Sequence, residues 1–172
     1  MNVIFPSILM KSGPSDETSL ETECLFGESI EIIEENLDWV YCRLITDDYY
    51  GWVKKKGLGK SINTTHRVIA HRSFVYREKN PKSICLLYLP LGAKLLVDNI
   101  QSEWAKVYLY NHKAEFGYVP SRHIVSIDHK YIDWVKIAEQ FFKTPYKWGG
   151  RDSVGIDCSA LLQLSYQTYG ED

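Results

Sequence analysis

The chain has 172 residues, 45% of them apolar, and a formal net charge of −2. That length holds one ordinary domain or two to three small ones, and the near-neutral charge argues against a dedicated nucleic-acid binder, which is normally basic. No stretch approaches the roughly 18 apolar residues that a membrane-spanning helix needs, so no membrane partner is expected.

The N-terminal run Asn2-Val3-Ile4-Phe5-Pro6-Ser7-Ile8-Leu9-Met10 is apolar but short. It has neither a basic leader nor a small-residue cleavage site and does not read as a signal peptide. The four cysteines, Cys24, Cys42, Cys85 and Cys158, show no CxxC spacing and no metal pattern with His. A reducing, cytoplasmic setting is therefore expected, with a periplasmic one left open, and neither metal nor organic cofactor is expected.

The first two-thirds of the chain repeat. Gly27, Trp39 and Gly51-Trp52-Val53 recur as Gly92, Trp104 and Gly117-Tyr118-Val119, at offsets of 65, 65 and 66 residues. Cys24-Leu25 and Cys85-Leu86 fall loosely into the same frame. Strand-like runs lie between the markers: 29–33, 39–44 and 50–54 in one copy, 93–97, 104–110 and 115–120 in the other. Trp104-Ala105-Lys106-Val107-Tyr108 alternates as a half-buried strand does. Asp47-Asp48 and Asn111-His112 supply turns. Two small all-β modules follow.

From Asp128 the texture becomes helical. Trp134, Val135, Ala138, Phe141 and Phe142 form an apolar stripe that ends at Lys143-Thr144-Pro145. A second helix is expected near Asp157, an N-cap residue, with Cys158, Leu161, Leu162, Ser165 and Tyr169 along one side and Gly170 as its stop. Between the helices runs Pro145-Tyr146-Lys147-Trp148-Gly149-Gly150-Arg151-Asp152-Ser153-Val154-Gly155-Ile156-Asp157-Cys158-Ser159. A Gly-rich aromatic loop here delivers a Cys to a helix N-terminus. Backbone N–H groups at such a terminus favour thiolate over thiol, which is how a nucleophilic Cys is activated.

The pattern of Gly, polar strand, Trp-led strand, turn and Gly-aromatic-Val resembles bacterial SH3-like barrels. Residues 132–170 resemble the opening of the NlpC/p60 family of papain-like cysteine peptidases. The matching residues are Pro145-Tyr146, Trp148-Gly149-Gly150, Gly155, Asp157-Cys158-Ser159 and Leu161, with Gln163 and Gly170 in their usual places. Ala160 departs from the commoner Gly. The resemblance implies an α+β chain: residues 1–64 an N-terminal segment and first SH3-like domain, 65–127 a second, and 128–172 the N-terminal helical part of a papain-like domain.

A subgroup of that family with tandem SH3 domains hydrolyses the γ-D-Glu–diamino-acid bond of murein peptides bearing a free N-terminal L-Ala, in cell-wall recycling. The resemblance makes Cys158 the nucleophile and sets the Tyr146 hydroxyl near the developing oxyanion. It also makes Asp157 and Ser159 substrate contacts, and it has Glu28 and Tyr49 of the first SH3-like domain help bind the free amine. The expected partner is a murein-derived peptide.

All five histidines (66, 71, 112, 123 and 129) precede Cys158, and only fourteen residues follow it. In the family that the chain resembles, the base comes from strands after the Cys helix, so the chain is expected to be a truncated product or a fragment of a longer protein, inactive as it stands. The exposed faces of Trp134, Val135, Phe141, Phe142, Leu161, Leu162 and Tyr166 are expected to pack on the SH3-like domains or on a second copy, a homo-oligomer. The alternative is a non-catalytic module that binds wall peptides or glycans through the SH3-like domains. Its one basic run, Lys54-Lys55-Lys56-Gly57-Leu58-Gly59-Lys60, reads better as a solvated hairpin end.

Overall fold

Alternating burial along short strands builds two sheets of the same design. The computed structural model describes residues 1–109, 114–130 and 133–169. The strand end expected at Tyr110, the turn at Asn111-His112, the Tyr169 side chain and the Gly170 stop lie outside the described side chains and residues. The first repeat contains β1 (Asn2–Val3), β2 (Ser7–Lys11), β3 (Leu20–Leu25), β4 (Ile30–Asn36), β5 (Trp39–Leu44), β6 (Tyr49–Lys54) and β7 (Leu58–Gly59). The second contains β8 (His66–Val68), β9 (Arg72–Tyr76), β10 (Cys85–Pro90), β11 (Lys94–Leu95), β12 (Val97–Gln101), β13 (Trp104–Tyr108), β14 (Phe116–Pro120) and β15 (Ile124–Ser126).

The larger sheets run β3-β2-β6-β5-β4 and β10-β9-β14-β13-β12, the same order twice. Smaller sheets, β1-β7 and β11-β8-β15, accompany them. Even the irregularity recurs: register slips between Ile32 and Glu34 in one copy and between Val97 and Asn99 in the other. Such a bulge bends a strand and lets it wrap a small core. The run expected as one strand over 93–97 is divided, with Lys94–Leu95 pairing β8 and Val97 onward pairing β13.

Each sheet closes on its own apolar residues. Met10, Cys24, Val40, Cys42, Leu44 and Val53 fill the first core, and Val75, Leu89, Leu95, Ala105, Val107 and Val119 the second. Phe26 of the first repeat also inserts into the second core. The two barrels are therefore not beads on a string.

The remainder is α1 (Trp134–Glu139), the hairpin β16 (Arg151–Asp152) and β17 (Gly155–Ile156), and α2 (Cys158–Tyr169). The stripe through Phe142 predicts a longer first helix than the structure shows. The chain tightens to i→i−3 bonds at Gln140, Phe141 and Phe142, and Lys143 turns left-handed at φ 68°. The following Pro145 cannot continue a helix, and the reversal turns Phe141 inward while Phe142 stays exposed.

A third core joins this segment to both barrels: Leu25 and Leu91 meet Ile137, Phe141, Ile156 and Leu164. Trp134 stacks on Tyr166 with ring centroids 4.9 Å apart. Of the residues expected to pack on the SH3-like domains, Phe141 lies in this core with Leu161 against it, whereas Trp134 and Tyr166 pack on each other. Val135, Phe142, Trp148 and Leu162 remain exposed. Among the described residues no helix is long and apolar enough to cross a membrane.

Candidate active site

The loop before α2 is shaped by glycines that nothing larger can replace. A Cβ on Gly150 would lie 2.4 Å from the Gly155 carbonyl oxygen, and one on Gly155 would lie 2.5 Å from the Lys147 Cβ. Gly149 adopts φ 67° and sits against Leu20 and Glu21 of the first barrel. Backbone bonds from Lys147 and Asp157 to Ile156 and Gly150, of 3.2 and 3.1 Å, zip the two arms of the loop together. Tyr146 bridges Ile156 in the same zipper, which brings it alongside the residues leading into Cys158. Tyr146 is 65% exposed.

Asp157 caps α2. Its Oδ1 accepts from the Ala160 N–H at 2.7 Å and from the Ser159 hydroxyl at 2.8 Å, while Oδ2 accepts from the Gly149 N–H at 3.1 Å. One carboxylate thus fixes the helix start and the glycine loop together. Cys158, the first helical residue, is exposed beyond it. Of the three barrel thiols, Cys85 is exposed as Cys158 is, and the other two are not. Cys24 and Cys42 are buried, burial raises both thiols, and Cys42 is pushed up to about 12. Those two are packing residues.

The first barrel supplies the facing wall. A cleft of about 80 Å³ is lined by Glu21, Thr22, Asp47 and Tyr49 from that barrel, and by Arg151, Asp157, Ser159, Ala160 and Gln163 from the loop and helix. Three of the four expected binding residues, Tyr49, Asp157 and Ser159, therefore meet across one opening. Asp47 is tied to α2, its Oδ2 accepting from the Gln163 amide at 2.6 Å.

Glu28 is placed differently from the expectation. It does not line the cleft. It is 1% exposed, and its two oxygens accept from Arg151 Nη1 at 2.9 Å and Nη2 at 3.0 Å, with the Leu25 N–H also donating to it at 2.7 Å. Its carboxylate is consumed by a guanidinium that itself forms part of the cleft wall. Burial pulls the Arg151 guanidinium down, but Glu28 outweighs that and holds it above its ordinary value. Glu23 completes the arrangement: its backbone carbonyl accepts from Arg151 Nη1 at 2.8 Å, its carboxylate accepts from the Arg151 N–H at 2.9 Å, and it pairs with Lys147.

Sequence reasoning missed Glu21, Asp47 and Arg151. Asp47 reads as an ordinary turn residue, and a lone Arg after two glycines carries no signal of its own. Three histidines are engaged elsewhere: His71 with Thr144, His123 with Ser73 and His66 with Thr65, and none of these bonds involves Cys158. His112 lies outside the described residues. Among the described residues no group of three or more His, Cys, Asp and Glu side chains converges as a metal site.

The fold is a tandem of SH3-like barrels followed by two helices, with a glycine loop that brings an exposed Cys to a helix start, an α+β architecture. Residues 10–58 match the bacterial dipeptidyl-peptidase Sh3 domain. Over 99% of its length the chain is 28% identical to dipeptidyl-peptidase 6 of Lysinibacillus sphaericus, and over 92% it is 26% identical to the γ-D-glutamyl-L-lysine dipeptidyl-peptidase of Bacillus subtilis strain 168. It spans 70% of the first relative and 56% of the second. A crystal structure of a NlpC/P60 family protein from Bacillus cereus superposes with a TM-score of 0.82 at 16% identity, covering 98% of this chain and 72% of that one. In its domains and its motifs the chain is similar to the NlpC/P60 peptidases that carry bacterial SH3 domains.

Proposed function

We propose that the cleft belongs to a cysteine peptidase that hydrolyses the γ-D-Glu–diamino-acid bond of murein peptides with a free N-terminal L-Ala. The observation that carries this reading is the convergence of Glu21, Asp47 and Asp157 with the Tyr49 ring beside an exposed Cys at a helix start. Carboxylates grouped with a phenol suit an ammonium group, and a pocket this small holds the end of a peptide and rejects a capped one. The same pocket fixes the distance from the amine to the bond that Cys158 attacks.

In the reaction the Cys158 sulfur adds to the γ-carbonyl carbon of D-Glu. The oxyanion is met by the Tyr146 hydroxyl, a kind of donor that contributes about 3 kcal/mol when preorganised. The C–N bond breaks, the diamino acid leaves with a proton on its amine, and water hydrolyses the thioester. Among the described residues, the side-chain bonds of His66, His71 and His123 do not reach Cys158. Added imidazole therefore belongs in the test.

The test is hydrolysis of L-Ala-γ-D-Glu-L-Lys and of its meso-diaminopimelate counterpart, with imidazole in solution and a Cys158→Ala control. A parallel measurement follows the rate of iodoacetamide alkylation at Cys158. Cleavage at the γ-bond that is lost in the control, and peptide protection of Cys158 from alkylation, are expected. Peptides that are neither cut nor slow alkylation would overturn the reading.

A further inference from the structure

The charges around the cleft do not cancel evenly. Glu21, Asp47, Asp157 and Arg151 line it. Behind them Lys147 is paired with Glu23, and Arg151 is held in a two-pronged pair by Glu28. Both residues of the Arg151–Glu28 pair are 1% exposed. With these pairs made, the three carboxylates on the cleft surface keep an uncompensated negative charge. A free guanidinium in the same wall would cancel a third of it and repel any ammonium that entered.

We propose that Glu28 is a positioning residue for substrate selectivity. It neutralises Arg151, so that the guanidinium can join the loop to the first barrel without opposing a cationic amine in the cleft. The proposal rests on the amine-pocket reading above and alters the part Glu28 plays in it: Glu28 acts through Arg151 and does not touch the ligand.

The geometry gives Arg151 its structural reason. Its backbone N–H, Nη1 and Nη2 reach Glu23 and Glu28 on β3 and the corner after it, so one side chain ties the glycine loop to the barrel wall. Its Nε has no protein partner and is buried. A cation this enclosed is screened little by solvent, so its field in the cleft depends on the carboxylate beside it. A bidentate carboxylate is the partner that satisfies a guanidinium most fully.

The experiment uses the full chain and two ligands, L-Ala-γ-D-Glu and its N-acetyl form, with binding followed by calorimetry or NMR shifts. Wild type should prefer the free amine. Glu28→Gln should lose about tenfold or more of that preference, while the N-acetyl ligand binds as well as before or better. Glu28→Gln/Arg151→Gln, which removes both charges, should restore the preference.

Equal weakening of both ligands in Glu28→Gln, or a double variant that fails to regain selectivity, would overturn the proposal and leave the amine pocket standing. Should Glu28→Gln not fold, wild type against the double variant decides. Retained preference supports charge balance, and lost preference means that Glu28 meets the amine itself, against the proposal. A wild type indifferent to acetylation removes the amine pocket and the proposal with it.

Discussion

Phe26-Gly27 and Leu91-Gly92 occupy the same corner of the two repeats, and each corner plugs the next body along the chain. Phe26 enters the core of the second barrel, and Leu91 enters the core beneath α1 and α2. Both glycines are left-handed, at φ 78° and 88°. The strands that lead to these corners differ in chemistry. Glu23 on β3 and Tyr88 on β10 stand sixty-five residues apart and grip neighbouring residues: Glu23 takes the Arg151 N–H at 2.9 Å, and the Tyr88 hydroxyl donates to Asp152 at 3.2 Å. Glu21 and Glu28 have Leu86 and Ala93 as counterparts. One fold used twice thus gives a charged wall on one side of the hairpin and a largely apolar seat on the other.

The sharpest way to break the symmetry of the corners is to add one methyl to each. A Cβ on Gly27 would fall 1.9 Å from the Lys94 carbonyl oxygen, a backbone atom that cannot step aside without moving β11. A left-handed alanine adds its own cost of about 1–2 kcal/mol, and overpacking adds about 1–3. Gly27→Ala is expected to destabilise by about 2–5 kcal/mol, measured by urea unfolding, and to loosen the first barrel from the second. A loss below about 1 kcal/mol would show that the barrels slide past one another freely.

Gly92→Ala should cost less, because what it meets can give. The nearest atoms are the Leu164 Cδ2 at 2.7 Å and the Leu25 Cδ1 at 3.3 Å, both ends of flexible side chains. About 2 kcal/mol is expected, mostly backbone strain. Combining it with Leu164→Ala opens the space the methyl needs, so the two losses should fall short of their sum by about 1 kcal/mol. Strict additivity would mean that the corner does not press on α2.

Much of this pairing is legible in the amino-acid pattern. The Gly27/Gly92 and Trp39/Trp104 markers locate two barrels, because a left-handed turn and an anchored aromatic are demands that few residues satisfy. Asp157 marks the start of α2 for the same local reason. Strands β2, β3, β9 and β10 carry no comparable marker. Leu20-Glu21-Thr22-Glu23-Cys24-Leu25 looks too acidic to be buried until Lys147 and Arg151 arrive from more than 120 residues away. The burial of Glu28 is hidden for the same reason, since what enters the interior is an ion pair and its halves are far apart in the chain.

The smallest predicted effect tests the apolar seat itself. His71 sits there, its ring edge-on to Phe141 at 5.0 Å and its Nε2 3.3 Å from the Thr144 hydroxyl. The residue sixty-five positions earlier is Pro6, which has no proton to gain, so only this side of the hairpin carries an imidazole at that position. Burial pulls His71 below the ordinary imidazole value; Arg72 pulls the same way and Asp152 opposes. The folded state therefore binds its proton less readily than the unfolded chain. The contribution is intact above the unfolded value, about 6.5, and is lost as pH falls through the lower folded value. On going from pH 7.5 to 5 the wild type should lose more thermal stability than His71→Gln, whose amide keeps a partner for Thr144. Parallel losses in the two proteins would mean that the ring stays protonatable in place and that the seat feels nothing of it. The shift will be small because the ring is partly open to solvent, yet its sign distinguishes a seat held by packing from a wall held by charge.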